Sequence, residues 1–303
     1  MTEAAIFAGT GNPGLARAVA DHLGLRLADS TTARYPDGEV QVVLRESARG
    51  RTVVIVQPTS PPVDEHLAEL LAFVDAARRA AAARIVAVVP YFGYARSDRR
   101  RARRGPIMAS LVARLLEAAG MDHLVTVDLH SAQVEGFFEH PVDALTAVRV
   151  LHSQLAGRLE PDTVVVSPDL GRVGMAAVVA ESLGLSTAIL HKRRENGMAT
   201  SVLGLVGDVR GRPCLIVDDI LATGGTIIRA IDTLRHSGGR PSTHVAVVHA
   251  LLLSDAADRL AKAGVREIVT TDTVPVPNFE EPRIRVGSVA PLVGSALARV
   301  LDV

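Results

Sequence analysis

The stretch Leu215-Ile216-Val217-Asp218-Asp219-Ile220-Leu221-Ala222-Thr223-Gly224-Gly225-Thr226 decides how the chain is read. An apolar run ends in two adjacent acids, and a Thr/Gly loop then opens a segment with helical spacing over residues 226–237. A buried strand, a tight turn and a helix in that order form the repeating unit of an α/β sheet. Such a loop points backbone N–H groups outward at the positive end of a helix dipole, which makes a cradle for phosphate. Its glycines let backbone approach the anion, and its threonine hydroxyls add donors. The two carboxylates just upstream could accept hydrogen bonds from sugar hydroxyls or hold a divalent cation. They could also be solvated caps of an ordinary strand–turn–helix, but a phosphate loop and diol-holding acids in sequence favour a binding role.

The same alternation extends to both sides. Short apolar runs at 4–8, 52–57, 85–89 and 124–129 precede helical spacing at 15–23, 65–83, 107–119 and 146–159. In the second of these helices Leu67, Leu70, Leu71 and Val74 fall at i, i+3, i+4 and i+7. The pattern then restarts, with a strand at 163–167, a helix at 173–183, a strand at 187–190 and an irregular stretch after it. Residues 213–217, 244–252, 268–271 and 284–286 read as further strands, and 255–263 and 291–300 as helices. The expected fold is α/β in two similar domains, each a mainly parallel sheet flanked by helices, at 1–149 and 150–303. The closing helix is free to cross back to the first domain. Ligands of open α/β sheets gather at the carboxyl ends of strands, where Tyr91, Arg96, Asp128, His130, Asp169, Asp218 and Asp219 would stand.

Composition narrows the classes. The 303 residues are 48% hydrophobic and 22% charged, the balance of a soluble globular protein. A net charge of zero disfavours a nucleic-acid or membrane-surface partner. No apolar run approaches the ~20 residues that span a bilayer, and the amino terminus lacks a secretory pattern, so the cytoplasm is the expected compartment. Cys214 is the only cysteine, which excludes an intrachain disulfide and a cysteine-rich zinc site; it reads as a small buried hydrophobe. Only Lys192 and Lys262 among the 33 basic residues are lysines; Lys192 reads either as a position where a compact ammonium is needed and a planar guanidinium does not fit, or as one of two left by chance.

Three features need weighing against plainer roles. Gly9-Thr10-Gly11-Asn12-Pro13-Gly14, with Asp29 downstream, fits a dinucleotide-binding pattern, but Pro13 removes an amide near the cradle, and no nicotinamide cofactor is expected. In the arginine run, Arg96 and Arg99 suit a triphosphate through two-pronged guanidinium pairing, whereas Arg101, Arg103 and Arg104 read as a solvated face. His130 is either a strand-end histidine or a neighbour of phosphates, and Asp169 either an N-cap or a magnesium ligand.

The loop at 222–226 resembles the phosphoribosyl-diphosphate loop of phosphoribosyltransferases and ribose-phosphate diphosphokinases. Tyr35-Pro36-Asp37-Gly38-Glu39, Gln57-Pro58-Thr59-Ser60, Glu65-His66-Leu67, Pro90-Tyr91-Phe92-Gly93-Tyr94-Ala95-Arg96, Asp128-Leu129-His130, Ser167-Pro168-Asp169 and Lys192-Arg193-Arg194 are similar to the diphosphokinase family, in its order and over nearly the whole chain. The resemblance implies two phosphoribosyltransferase-like domains and transfer of the β,γ-diphosphoryl group of ATP to ribose 5-phosphate, with Mg2+ as cofactor. It implies a homo-oligomer, dimer or hexamer. Tyr35, Asp37 and Glu39 would reach the adenine of ATP on a neighbouring subunit, Arg96, Ser97, Arg99 and His130 would contact ATP, and His130 and Asp169 would lie by the metal. Asp218 and Asp219 would hold the ribose hydroxyls, and Ala222, Thr223, Gly224, Gly225 and Thr226 would form the loop around the 5-phosphate. Lys192 and Arg194, on a mobile loop, would stabilise the transition state.

The chain departs from the family pattern at several of these positions. Ala222 stands where many members have Asp, Gly224 where they have Ala, and Ser97 where Gln is common. Leu170-Gly171-Arg172 replaces a common His-Gly-Gly. Two other functions compete: a non-catalytic regulatory subunit of such a synthetase, and a phosphoribosyltransferase. Intact Lys192, Arg194, His130, Asp218 and Asp219 weigh against the first, and the amino-terminal motifs against the second.

Overall fold

The computed structural model describes residues 4–194, 201–240, 243–277 and 282–301, with backbone alone at 192–194, 201–203 and 243. The chain forms two compact units, one of Met1–Thr146, Thr273–Pro275 and Ser288–Val303, the other of Ala147–Asp272 and Val276–Gly287.

In the first unit β1 (Ala4–Ala8), β4 (Thr52–Val56), β5 (Arg84–Val89), β6 (His123–Val127) and β7 (Val142–Leu145) form a parallel sheet in that order. Every residue of β4 and β6 is buried, as a parallel sheet covered on both faces requires. Helices α1 (Pro13–His22), α2 (Val63–Arg79) and α3 (Met108–Ala119) supply the covers. In α2 the stripe Leu67, Leu70, Val74 and Ala77 turns inward, as its spacing predicts.

Two strands between β1 and β4 were not expected. β2 (Ser30–Arg34) and β3 (Val40–Leu44) pair antiparallel as a separate ribbon, from Ser30 opposite Leu44 to Arg34 opposite Val40. Ser30–Arg34 carries little apolar signal, whereas Val40-Gln41-Val42-Val43-Leu44 is apolar enough to read as a strand and was passed over; Val42 and Leu44 lean on the core. The strand β7 also went unread, because Val142-Asp143-Ala144-Leu145 holds a single β-branched residue and is interrupted by an acid.

The second unit begins with α4 (Val148–Leu155) and carries a seven-stranded sheet. Its strands are β8 (Val164–Ser167), β9 (Ser186–Arg194), β10 (Ser201–Val206), β11 (Cys214–Leu221), β12 (Thr243–Ala250), β13 (Val265–Thr271) and β14 (Arg283–Gly287). The spatial order is β10-β9-β8-β11-β12-β13-β14, parallel throughout except for the β9–β10 pair. Helices α5 (Val173–Leu183), α6 (Gly225–His236) and α7 (Ala256–Lys262) connect it. The stretch expected to be irregular after residue 190 corrects to a continuation of β9, whose Lys192 lies opposite Leu203 and whose Arg194 lies opposite Ser201 on β10. A charged run such as His191-Lys192-Arg193-Arg194 has no apolar alternation, so only pairing reveals it as a strand.

The closing helix, α8 (Ala290–Leu301), belongs to the first unit rather than to a domain running from 150 to 303. It packs on α1 so closely that a Cβ on Gly294 would lie 2.3 Å from His22 Cδ2. Arg84 Nη1 donates to the Val300 carbonyl at 3.1 Å. The crossing that the sequence allowed is therefore made.

Candidate active site

In the second unit the strand order reverses between β8 and β11. The chain moves outward from β8 to β9 and β10, then returns to β11 on the other side of β8. Ligands of open α/β sheets bind in the crevice that such a reversal leaves at the carboxyl ends. The β8 ladder reaches β11 only through Ile216, so β11 continues from Val217 to Leu221 beyond its partner. That end, paired with β12 alone, carries Asp218 and Asp219, which are 9% and 3% exposed.

Local bonds fix the two acids. The Asp219 amide donates to Asp218 Oδ1, and the Ile220 amide donates to Asp219 Oδ1, both at 2.9 Å. Burial, together with the neighbouring Asp219 carboxylate, pushes the Asp218 carboxyl up to about 8. Arg172 opposes that rise: its Nε lies 3.9 Å from Asp218 Oδ1 and its Nη1 3.3 Å from Asp219 Oδ2.

Immediately beyond the acids the chain turns into α6. The Ala222 carbonyl accepts from the Leu253 amide at 3.0 Å, and the Thr223 carbonyl from Arg259 Nη1 at 3.3 Å. With its carbonyls so anchored, the loop presents its N–H groups. Among the described residues, no acceptor meets the amides of Thr223, Gly224, Gly225 or Thr226. Gly224 caps the helix with φ 75° and ψ −5°, a left-handed conformation that glycine adopts without strain. A Cβ on Gly225 would stand 3.5 Å from Arg229 Nη1, so a cation lies one turn behind the open amides.

Asp169 follows β8 at the same end of the sheet. Its Oδ1 accepts from the Gly171 amide at 2.8 Å, so its capping role is present in the short 3-10 turn Leu170–Arg172. Asp169, Asp218 and Asp219 are hard oxygen donors of the kind magnesium takes. Among the described residues no cluster of three or more His, Cys, Asp or Glu forms a cage. This donor set fits a magnesium ion carried mainly by substrate phosphates and touched by one or two carboxylates.

In the first unit Tyr35 to Glu39 form the tip joining β2 to β3. The Tyr35 amide donates to the Glu39 carbonyl, the Gly38 amide to the Tyr35 carbonyl, both at 2.9 Å, and the Glu39 amide to Asp37 Oδ1 at 3.1 Å. All five residues are exposed. Arg96 and Arg99 lie exposed on the segment after β5. Ser97 anchors that segment: its amide donates to the Tyr94 carbonyl at 2.7 Å, and its own carbonyl accepts from the Ala109 amide at 3.2 Å. Gly93 fixes where the segment leaves the sheet, since a Cβ there would come 2.5 Å from the Thr59 carbonyl oxygen. Asp128 follows β6 with φ 39° and accepts from the Thr146 hydroxyl at 3.1 Å, and half-buried His130 lies two residues beyond.

The glycine-rich turn at residues 9–14 proves closed. The Gly11 amide donates to Gln57 Oε1 at 2.8 Å, the Thr10 amide to Glu69 Oε1 at 2.7 Å, and the Leu15 amide to Asn12 Oδ1 at 3.1 Å.

Comparison with known proteins places the chain in a family. A family profile described as the N-terminal domain of ribose phosphate pyrophosphokinase matches residues 4–120, and one described as the phosphoribosyl transferase domain matches 143–279. The chain is 43% identical to a ribose-phosphate pyrophosphokinase of Caldanaerobacter subterraneus over 97% of its own length and 94% of that protein's. It is likewise 43% identical to one from Maricaulis maris, over 98% and 96%. The chain belongs to the ribose-phosphate pyrophosphokinase family. The crystal structure of phosphoribosylpyrophosphate synthetase from Mycobacterium smegmatis superposes with a TM-score of 0.89 at 38% identity, covering 99% of both chains. Two phosphoribosyltransferase-type domains with mainly parallel sheets are thus the fold of this pyrophosphokinase-family chain.

Within the second unit Asp218, Asp219, Ala222 and residues 223–226 stand together at the carboxyl end of β11, beside the strand-order reversal. The side chains of Lys192 and Arg194 lie outside the described residues. Reading the sequence missed two cations there. Arg229 carried a signal in hindsight, as an arginine in the first turn after a phosphate loop. Arg172 stood out only as a departure from the family pattern. Cys214 is buried, and desolvation raises its thiol to about 11, in line with an inert hydrophobe. No described helix is long and apolar enough to cross a membrane.

Proposed function

We propose that this chain catalyses transfer of the β,γ-diphosphoryl group of ATP to the anomeric hydroxyl of ribose 5-phosphate, giving 5-phosphoribosyl 1-diphosphate and AMP. The observation that carries the reading is the set of open amides directly behind two buried acids at the β8/β11 reversal. In this reading residues 223–226 grip the 5-phosphate, with the Thr223 and Thr226 hydroxyls as added donors, and Asp218 and Asp219 accept from the ribose 2- and 3-hydroxyls. The sugar's anomeric oxygen attacks the β-phosphorus as the bond to the α-phosphate oxygen breaks.

Such a transfer needs positioning and charge neutralisation rather than covalent help from the protein. Arg96, Ser97, Arg99 and His130 hold the nucleotide. Tyr35, Asp37 and Glu39, on an exposed tip, meet the adenine bound by another copy, which makes the active form at least a homodimer. Lys192 and Arg194 stabilise charge developing on the leaving α-phosphate. Asp169 and His130 are the residues that would meet a magnesium ion, which would supply neutralisation of the phosphate oxygens. The cytoplasm, where ATP and sugar phosphates meet, is the compartment this reading implies.

The test is purified protein with ribose 5-phosphate, ATP and magnesium, scored for AMP and phosphoribosyl diphosphate. Formation of both in equal amounts is the expected outcome. Silence alone with stimulation of an active synthetase would assign a regulatory subunit instead, and base-dependent consumption of phosphoribosyl diphosphate would assign a transferase.

A further inference from the structure

Glu65-His66-Leu67 is a motif to which the site so far gives no part, and it lies in the first turns of α2, the helix that packs on the ribbon β2–β3. Arg34, the last residue of β2, meets that helix. Its Nε lies 3.2 Å from Glu65 Oε2, and its Nη2 4.0 Å from Glu69 Oε2. Resting on the reading above, in which Tyr35, Asp37 and Glu39 meet adenine, we infer that Arg34 is a positioning residue that aims this tip at the base.

A two-stranded ribbon standing apart from the main sheet has little rigidity of its own. Its direction depends on where it is fastened. At the base, Glu46 takes the Asp29 amide at 2.7 Å and Arg26 Nη1 at 2.6 Å, and the Arg45 amide donates to the Asp29 carbonyl at 2.9 Å. Midway, Val42 opposes Thr32 and leans on the core. From Arg34 to Val40, the end that carries the tip, the backbone bonds stay within the ribbon. Among the described residues, Arg34 supplies the ion-paired link from that end to α2. It directly precedes Tyr35, so a swing at Arg34 moves the whole tip.

The two acids differ as anchors. Glu65 is half-exposed and free to follow the ribbon, with 52% of its side chain in contact with solvent. Glu69 has no exposed side-chain surface, and Thr10 holds both of its oxygens, by amide at 2.7 Å and by hydroxyl at 2.5 Å. A fixed, buried acid gives the guanidinium a stationary reference. One planar fork reaches both acids at once, which a single ammonium does not do. A plain surface ion pair would add little to stability and nothing to nucleotide recognition. The positioning role predicts an effect confined to ATP.

The experiment measures steady-state kinetics with ATP, GTP and ribose 5-phosphate for the unaltered enzyme, Arg34→Met, Arg34→Lys, Tyr35→Ala and the Arg34→Met/Tyr35→Ala double variant. In Arg34→Met the KM for ATP should rise about fivefold, with kcat within about threefold and the KM for ribose 5-phosphate within about twofold. The preference for ATP over GTP should fall at least about threefold. The melting temperature should move by less than about 3 °C. Arg34→Lys, which reaches one acid but not both, should recover part of the loss. Tyr35→Ala should itself raise the KM for ATP, and adding Arg34→Met to it should change little, because both act through one contact. An ordinary KM for ATP in Arg34→Met beside a raised one in Tyr35→Ala, or fully additive losses, would overturn the inference and leave the reading of the tip intact. An ordinary KM for ATP in Tyr35→Ala would sink that reading and this inference together. Glu65→Gln, at a half-exposed position, should repeat the rise in smaller degree, and it decides the matter if Arg34→Met does not fold. Should the unaltered protein make no phosphoribosyl diphosphate, calorimetric titration with ATP across the same variants gives the same decision.

Discussion

The molecule contains two glycine-rich turns that follow a strand and open a helix, and they have opposite fates. The turn at residues 9–14 lies after β1, where the order also reverses: Leu27 bridges Ile6 on one side of β1, and β4 pairs on the other. Gln57, at the end of β4, fills the space there so completely that a Cβ on Gly9 would overlap its Oε1 at 2.1 Å. Glu69, with no exposed surface, takes the Thr10 amide and hydroxyl. At residues 222–226 the carbonyls are anchored and the amides are left open. A helix N-terminus with glycines is therefore a phosphate site only if the fold leaves its donors unspent. A neighbouring Gln and Glu convert the same motif into a structural joint.

Changing each turn should break a different property. The largest effect is expected at the open loop: Thr223→Asp adds a carboxylate among the free amides. It should lower kcat/KM for ribose 5-phosphate at least ~100-fold by like-charge repulsion, with the melting temperature unchanged because the residue is exposed. Calorimetry with ribose 5-phosphate should then show no binding. If affinity survived, the loop would not be the cradle.

The closed turn should respond the other way. Gly9→Ala forces Gln57 out of its contacts and should cost about 2 kcal/mol, read as a lower midpoint in urea, with KM for ribose 5-phosphate left within about twofold. A variant as stable as the parent would mean that Gln57 has room to move.

The acids beside the open loop carry a pH signature. Asp218 is held well above the ordinary carboxylate range by burial and by Asp219, so the folded state keeps its proton where the unfolded chain has lost it. That proton preference removes stability as pH rises from about 4 towards about 8. Asp218→Asn should therefore raise the melting temperature of the ligand-free protein by roughly 3 °C or more at pH 8, with the gap closing near pH 4. It should also lose most activity, since an amide is a poorer acceptor for sugar hydroxyls. Equal melting curves at pH 8 would show that the pair is already neutralised.

The smallest effect belongs to Gly224→Ala. Its φ of 75° and the Leu260 side chain, 3.1 Å from an added Cβ, predict a cost of about 1 kcal/mol, with the KM for ribose 5-phosphate raised less than about threefold. A chemical denaturation series would resolve a shift of that size.

Most helices and parallel strands of both units were legible because their burial is periodic. The 226–237 segment emerged as Gly225–His236, and the 173–183 segment as Val173–Leu183. The strand β2 and the extension of β9 were not legible. Strands such as Ser30–Arg34 and the charged end of β9 are stabilised by ladder bonds that leave no mark on residue type. At the site, the paired acids and the loop could be read in advance, but the cations could not. Arg229 is one of many arginines in a chain that writes nearly every cation that way.

The sequence by itself determined the α/β alternation, the Thr/Gly turn that follows Asp218 and Asp219 and opens a helix, and membership in a family whose motifs lie along nearly the whole chain. These are local or short-range properties, fixed by apolar spacing and turn chemistry. Only the tertiary structure decided which glycine turn is open, that Arg172 comes within 4 Å of the acids, and that α8 packs against α1. Each of those depends on contacts between residues tens to hundreds of positions apart, where geometry rather than composition says which donors are already satisfied.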